Sequence, residues 1–157
     1  MDLGEREQLL RGIADGDVAL RDVGGLSSQD VFAIARVGAA AMKGGRYTQA
    51  ASVFSALIAL EPRQTTHRLH LALAHQGEGD VDAALAALDA LLGLAGDRDA
   101  DPDLDDDLDD DLARAWLLRA ELLGRTDRDA ALAALAAARA LTSAAAVAVV
   151  DAALGRR

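Results

Sequence analysis

The sequence contains no cysteine, only two prolines and few aromatic residues, which make up 3% of its 157 positions. Without cysteine, disulfides, thiolate catalysis and cysteine-ligated zinc sites are excluded. The most apolar run, AAAVAVV at 144–150, is too short to span a bilayer, and Asp151 follows it. The N-terminal stretch MDLGEREQLL is charged and lacks the apolar centre of a signal peptide, so we expect a cytoplasmic protein.

Positive charge is scarce in one part of the chain. Residues 97–111 contain ten aspartates and one arginine, a net charge of −9 in a protein whose total is −10. The other sixteen acidic and fifteen basic residues nearly cancel. An acidic run of this kind repels phosphates, and no polybasic patch is present to attract anionic lipid. We therefore expect neither nucleic-acid binding nor membrane insertion.

What the chain does contain is internal repetition. Residues 79–94 and 126–141 are identical at ten of sixteen positions, and the matched leucines recur at helical spacing. A third copy at 45–60 precedes them, with an offset of 34 residues from Gly45 to Gly79. This is the period of the tetratricopeptide repeat, a helix–turn–helix unit, which the chain resembles at its small-residue and proline positions. In the first unit those positions are Gly38, Gly45, Tyr47, Ala50, Phe54 and Pro62.

The repeat predicts an all-α superhelix in one domain, residues 1–157, with three tetratricopeptide-like units between an N-terminal leader helix and a C-terminal capping helix. Gly45 and Gly79 permit tight turns, while Ala50, Ala84 and Ala131 let paired helices approach closely. The predicted segments are the leader at 1–30, the repeats at 31–64, 65–98 and 112–145, and the capping helix at 144–154. Within the repeats we predict helices at about 31–43, 47–60, 65–77, 81–94, 112–123 and 128–141.

The acidic run lies in an insertion between the second and third units. The offset from Gly79 to Thr126 is 47 residues, and the surplus of 13 over the repeat period coincides with residues 99–111. Aspartates alternate at its start as in a calcium-binding EF-hand loop. However, Pro102 and Leu108 stand where such a loop needs its glycine and its glutamate. A solvated acidic loop is therefore favoured over a metal site.

A second interpretation makes part of this insertion helical. Leucine or tryptophan recurs every four residues at Leu104, Leu108, Leu112 and Trp116, which is helical spacing. Aspartates near a helix N-terminus also favour the helix dipole, although many packed together repel one another. Residues 104–111 are then a partial extension of the third unit's first helix.

The sequence offers no catalytic constellation. His67, His70 and His75 fall on one predicted helix, but no third ligand converges with them at a known metal spacing. Ser27 and Asp30 form a capping box, which marks a helix start and not a nucleophile. Phosphate-binding glycine loops and HExxH motifs are absent from the sequence. We expect a non-enzymatic protein without a metal or cofactor.

The first helix of each unit is predicted to line a concave surface, on which a stack of helix pairs binds its partners. Apolar side chains at the inward positions suit an extended apolar peptide. The alternative is that several of them are ordinary core, since an apolar stripe at helical spacing is a packing signal. The candidate groove residues are Phe32, Ala35, Ala39, Met42, Leu69, Leu73, Gln76, Trp116, Ala120 and Leu123.

Residues 20–62 resemble the opening of the class II chaperones of type III secretion. In that family a leader helix runs into a Gly-Leu-Ser turn, which stands here at 25–27. A helix then ends in small-Gly-x-Tyr, matched at Gly45-Arg46-Tyr47, and its paired helix carries A-x-x-V-F-x-x-L, matched at 50–57. Residues 115–132 are similar to the family's third unit. The family's first repeat presents several aromatic residues to the groove, whereas this chain has Phe32 alone.

The resemblance implies an ATP-independent cytoplasmic chaperone. Such a protein holds an extended hydrophobic segment of a secreted translocator in its concave groove and keeps that cargo soluble and export-competent. The resemblance also implies dimerisation through the N-terminal region, although packing of the leader on the first repeat explains its apolar residues equally well. Those residues are Leu9, Leu10, Ile13, Val18 and Leu20.

Two other functions fit the same sequence. The first is a generic tetratricopeptide scaffold that joins proteins in another bacterial complex. The second is a needle-subunit chaperone of the same secretion system, although those proteins are usually shorter and lack the Gly-Leu-Ser leader.

Overall fold

Seven α-helices follow one another in the computed structural model, which describes residues 24–96, 108–141 and 144–155. Within these ranges there is no strand, and no helix has both the length and the apolar character needed to cross a membrane. The all-helical class predicted from the sequence is confirmed. The helices are α1 (Ser28–Lys43), α2 (Tyr47–Leu60), α3 (Thr65–Glu78), α4 (Val81–Gly96), α5 (Leu108–Leu123), α6 (Arg128–Ala140) and α7 (Ala144–Ala153).

Helix α1 begins where the capping box predicts. The Asp30 backbone N–H donates to Ser27 Oγ at 3.2 Å, and the Ser27 backbone N–H donates to Asp30 Oδ2 at 2.9 Å. Two backbone donors that a helix start leaves unpaired are thus satisfied reciprocally. The predicted leader helix and its apolar residues before position 24 lie outside the described residues.

Helix α5 begins at Leu108, one helical turn before the predicted start at 112. Leu108 and Leu112 are both almost fully buried, so their burial stabilises the additional turn. Residues 108–111 therefore belong to this helix, in agreement with the interpretation of 104–111 as a partial helical extension. The remaining acidic positions, 97–107, lie outside the described residues.

Two glycines make the turns between paired helices. Gly45 and Gly79 have φ angles of 69° and 81°, in the left-handed region that disfavours other residues. After Gly79, the backbone N–H of Asp80 donates to the His75 carbonyl at 2.9 Å, and the Asp80 carboxylate accepts from the Ala83 N–H at 3.0 Å. One short segment therefore ends α3 and starts α4.

Small residues let the paired helices pack closely, as the repeat predicts. Ala50 and Ala84 are fully buried, and Ala131 is nearly so. Gly38 of α1 lies against Phe54 of α2 so tightly that an added Cβ would be 2.9 Å from the ring's Cζ.

Three apolar clusters run along the stack. The first joins α1, α2 and α3 around Phe54 and Leu57. The second joins α3, α4 and α5, with Leu88 and Leu91 fully buried, and each such leucine stabilises the fold by about 1.5–3 kcal/mol. The third joins α5, α6 and α7 around Ala138 and Val150. Since α3 and α5 each belong to two clusters, these helices are held firmly at the surface described next.

Candidate peptide-binding groove

The larger of two adjoining depressions has a volume of about 630 Å³ and lies between α3, α5, α6 and α7. Its wall is mostly aliphatic, with a few polar groups at Gln76, Arg114 and Glu121. An open cavity of this size and chemistry fits several apolar side chains of a partner. The lining residues are Leu69, Leu73, Gln76, Arg114, Leu117, Leu118, Ala120, Glu121, Leu135, Val149, Ala153 and Leu154.

The smaller depression, of about 510 Å³, lies between the end of α1, the start of α2 and the end of α3. It shares Leu73 and Gln76 with the larger depression, so the two form one continuous surface. We call this surface the groove. The lining residues of the smaller depression are Met42, Lys43, Tyr47, Leu73, Gln76 and Gly77.

Helical spacing explains which side chains reach the groove. On α3, Leu69, Leu73 and Gln76 stand at i, i+4 and i+7 and so share one face. On α5 the same rule selects Arg114, Leu117, Leu118 and Glu121. Helix α7 packs mainly on α5 and contributes Val149 and Ala153 to the far wall. The groove is thus built by helices and not by loops.

Polar groups at the groove rim are engaged with one another. Gln76 Nε2 donates to Glu121 Oε1 at 3.3 Å, a contact that crosses the groove from α3 to α5. Arg114 pairs with Asp110 one turn earlier on α5, with an N–O distance of 2.6 Å. Because both contacts are at the surface, each contributes little to stability and can rearrange when a partner binds.

Five of the ten predicted groove residues line the groove: Met42, Leu69, Leu73, Gln76 and Ala120. Leu69 and Ala120 are at the same time buried core residues, with exposures of 4% and 7%. For these two residues, core packing and groove lining are therefore not exclusive.

The other five predicted residues lie outside the lining of these two depressions. Ala35 is partly buried against the first cluster, and Phe32 is 65% exposed on the outer part of α1. Trp116 packs instead against the third cluster, which joins α5, α6 and α7. Ala39 and Leu123 are partly buried.

Several lining residues were not predicted. On α5 the repeat register selected Trp116, Ala120 and Leu123, whereas the groove face is centred on Leu117 and Leu118. The spacing of Arg114, Leu117, Leu118 and Glu121 was a signal that could have identified this face. Nothing in the sequence indicated that α7 would supply part of the wall, because a capping helix is recognised only as the end of a stack.

A buried hydrogen-bonded cluster joins α5 to α3, two of the helices that line the groove. Asp111 is 2% exposed, and its Oδ2 accepts from the hydroxyls of Thr65 at 2.7 Å and Thr66 at 2.8 Å. A buried carboxylate needs such partners, because burying it unpaired is costly. This contact connects the first helices of the second and third units, 46 residues apart in sequence.

The three histidines of α3 each have a local partner. His67 Nε2 lies 2.9 Å from Glu61 Oε2, and His75 Nδ1 lies 2.9 Å from Glu78 Oε2. The His70 ring stacks on Phe54 with its centroid 4.9 Å away. In the part of the chain that the structure describes, no three His, Asp or Glu side chains come together as a metal site would require.

Two ionisable groups on α3 have shifted pKa values. A hydrogen bond from the Thr48 side chain, followed by one from His75, lowers the pKa of Glu78 below its usual value. Burial lowers the pKa of the Arg68 guanidinium, which donates to the Pro62 carbonyl. Neither group lines the groove, and both fix the ends of α3.

Comparison with protein-family models, with curated protein sequences and with solved structures found no match for this chain.

Proposed function

We propose that the protein is a non-enzymatic chaperone that holds an extended apolar segment of a client protein in the groove. The observation that carries this proposal is the mostly aliphatic lining of the larger depression, which adjoins the smaller one at Leu73 and Gln76. An extended peptide rises by about 3.3 Å per residue, so a short segment can reach across several helices. Client segments that insert into membranes aggregate unless such a surface covers them.

The proposed client is a secreted translocator of type III secretion, and the proposed fold is the tetratricopeptide superhelix. Three features support the repeat assignment: left-handed glycines at Gly45 and Gly79, the buried small residues of the helix pairs, and a groove lined by α1, α3 and α5. The resemblance of residues 20–62 to the translocator chaperones supports the client class. The proposal places the protein in the cytosol, where it acts before secretion.

Affinity capture with groove variants tests this function. The tagged protein, a Leu73→Glu variant and a Val37→Glu variant are each used to isolate partners from the source organism, and bound proteins are identified by mass spectrometry. Leu73 lines both depressions, whereas Val37 is 52% exposed on α1 outside their lining, so the second variant is a matched control. Circular dichroism checks that both variants remain helical.

We expect one near-stoichiometric partner with long apolar segments, lost from Leu73→Glu and retained by Val37→Glu. If that partner stays bound to Leu73→Glu, the groove is not its binding site. If only soluble components of an assembly are recovered, the scaffold function replaces the chaperone.

A further inference from the structure

We infer that the smaller depression is a subsite for an acidic side chain of the client segment. This inference rests on the proposed function, because it concerns the same groove. Leu73 and Gln76 belong to both depressions, so one extended peptide can place apolar side chains in the larger and a neighbouring residue in the smaller.

The lining of the smaller depression is complementary to a carboxylate. Lys43 supplies an ammonium group and Tyr47 a hydroxyl, and no acidic residue is among the six that line it. Met42 and Leu73 provide apolar walls beside these donors. A cation next to apolar walls favours a peptide in which apolar residues flank an acidic one. A purely acidic or a purely apolar peptide would use only part of this lining.

The Lys43 charge is available to a partner. Among the described residues no carboxylate pairs with Lys43, whereas Arg114 and Arg119 are paired with Asp110 and Asp89. The acidic residue at the end of α3, Glu78, accepts hydrogen bonds from Thr48 and His75 and not from Lys43. In the described part of the chain, no carboxylate lies within ion-pair distance of Lys43.

The net charge of the protein helps to distinguish a local contact with an acidic residue from general electrostatic attraction. With a net charge of −10, the protein as a whole repels acidic peptides and attracts basic ones. Selection of acidic residues at one peptide position would therefore run against the overall field and indicate a local contact.

A selection from random displayed peptides tests the subsite. The library holds peptides of about twelve residues, roughly 40 Å when extended. Each peptide is fused to its carrier at its C-terminus, so that only side-chain carboxylates are available. The targets are the wild-type protein, Lys43→Glu, Lys43→Gln and, as a matched control, Arg128→Glu, which changes an exposed cation on α6 outside the groove lining.

From the wild type we expect apolar peptides with an acidic residue at a constant position. Exchanging that residue for its amide should weaken binding about threefold to fivefold, the size of one exposed ion pair. Lys43→Glu should weaken the acidic peptide about tenfold, because attraction becomes repulsion. Lys43→Gln should bind acid and amide equally, and Arg128→Glu should behave as wild type.

Zero-length crosslinking gives a second readout of the same contact. Lys43 is the only lysine in the chain, so a carbodiimide should join the peptide carboxylate to this one side chain as an amide, which mass spectrometry locates.

The possible outcomes separate the two proposals. If the wild-type protein selects no peptides beyond those that a Leu73→Glu target also selects, both the groove function and the subsite are refuted. Apolar peptides without an acidic preference, or with one that Lys43→Glu leaves unchanged, refute the subsite alone. Enrichment of basic peptides also refutes the subsite.

Discussion

At the scale of single residues, two glycines inside helices differ in their surroundings. A Cβ added to Gly77 of α3 would lie 2.4 Å from Cδ1 of Tyr47, whereas nothing lies within 4 Å of one added to Gly93 of α4. In an open helix interior, alanine is more stable than glycine by about 0.5–1 kcal/mol. We therefore expect Gly93→Ala to raise the free energy of unfolding by about that amount. Gly77→Ala should lower it, because the ring must move. Urea denaturation measures both.

A Tyr47→Ala background tests whether the Tyr47 ring is the reason that Gly77→Ala lowers the free energy of unfolding. Without the ring, Gly77→Ala should become stabilising, as Gly93→Ala is in the wild type. If Gly77→Ala still destabilises the protein in that background, contact with Tyr47 is not the reason for the glycine.

Asp111 marks the limit of what single residues reveal before the fold is known. In the sequence it is one of ten aspartates in an acidic run, interpreted either as a solvated insertion or, over 104–111, as a partial helical extension. In the structure it is buried and accepts from Thr65 and Thr66. Helical spacing places Asp111 on the same face as Leu108 and Ala115, but it does not show which groups would pair with a buried carboxylate there, because Thr65 and Thr66 come from α3.

At the scale of helices, the capping box of α1 should make part of the stability depend on pH. Hydrogen bonds from the Ser27 side chain and then from its backbone hold the pKa of Asp30 below the usual 3.8. Since the folded-state pKa is below the unfolded one, this stabilisation is complete above the usual pKa and is lost as the pH falls through the folded-state value. Ser27→Ala should raise the pKa of Asp30 towards 3.8, as followed by an NMR titration.

The stability difference between wild type and Ser27→Ala should accordingly be constant near neutral pH and shrink in acid. Ser28→Ala, the neighbouring exposed serine, is the control and should leave the Asp30 titration unchanged. An unaltered Asp30 pKa in Ser27→Ala would show that the hydrogen bonds are not its cause.

Docking of α7 can be followed through Trp116, the single tryptophan of the chain. Its side chain packs into the cluster that contains Val150, which is 6% exposed. Val150→Asp buries an unpaired charge, so we expect α7 to detach, Trp116 emission to shift to the red and the melting temperature to fall. Val147→Asp changes a valine that is 43% exposed on the same helix and should leave the emission in place. Equal shifts in both variants would contradict this packing.

The elements themselves were largely predictable, whereas the faces they present were not. Bounds such as Tyr47–Leu60 follow from turn glycines, prolines and the leucine period, which are local signals. Which side of α5 lines the two depressions depends on how α3 and α7 pack against it. The repeat register selected Trp116, which packs against the third cluster and lines neither depression. For the same reason, half of the predicted groove residues lie outside the lining.

At the scale of the whole molecule, the second and third units should remain associated when the chain between them is cut. Leu88 of α4 and Leu112 of α5 belong to one cluster, and Asp111 adds hydrogen bonds to α3. We therefore expect a protein cleaved at a protease site inserted within 97–107 to elute as one species in size-exclusion chromatography. Asp111→Ala should promote separation of the fragments, since Thr65 and Thr66 lose an acceptor. Two separate peaks for the cleaved wild-type protein would contradict a shared core.

The cluster joining α3, α4 and α5 also bears on how such a chain can change over generations. A descendant that ends after α4 would leave Leu88 and Leu91 exposed to water, so the last unit cannot be discarded as freely as it could be duplicated. A deleterious substitution in α5 weakens the packing of the preceding unit as well as that of its own. We therefore expect the second and third units to be retained or lost together, as one module.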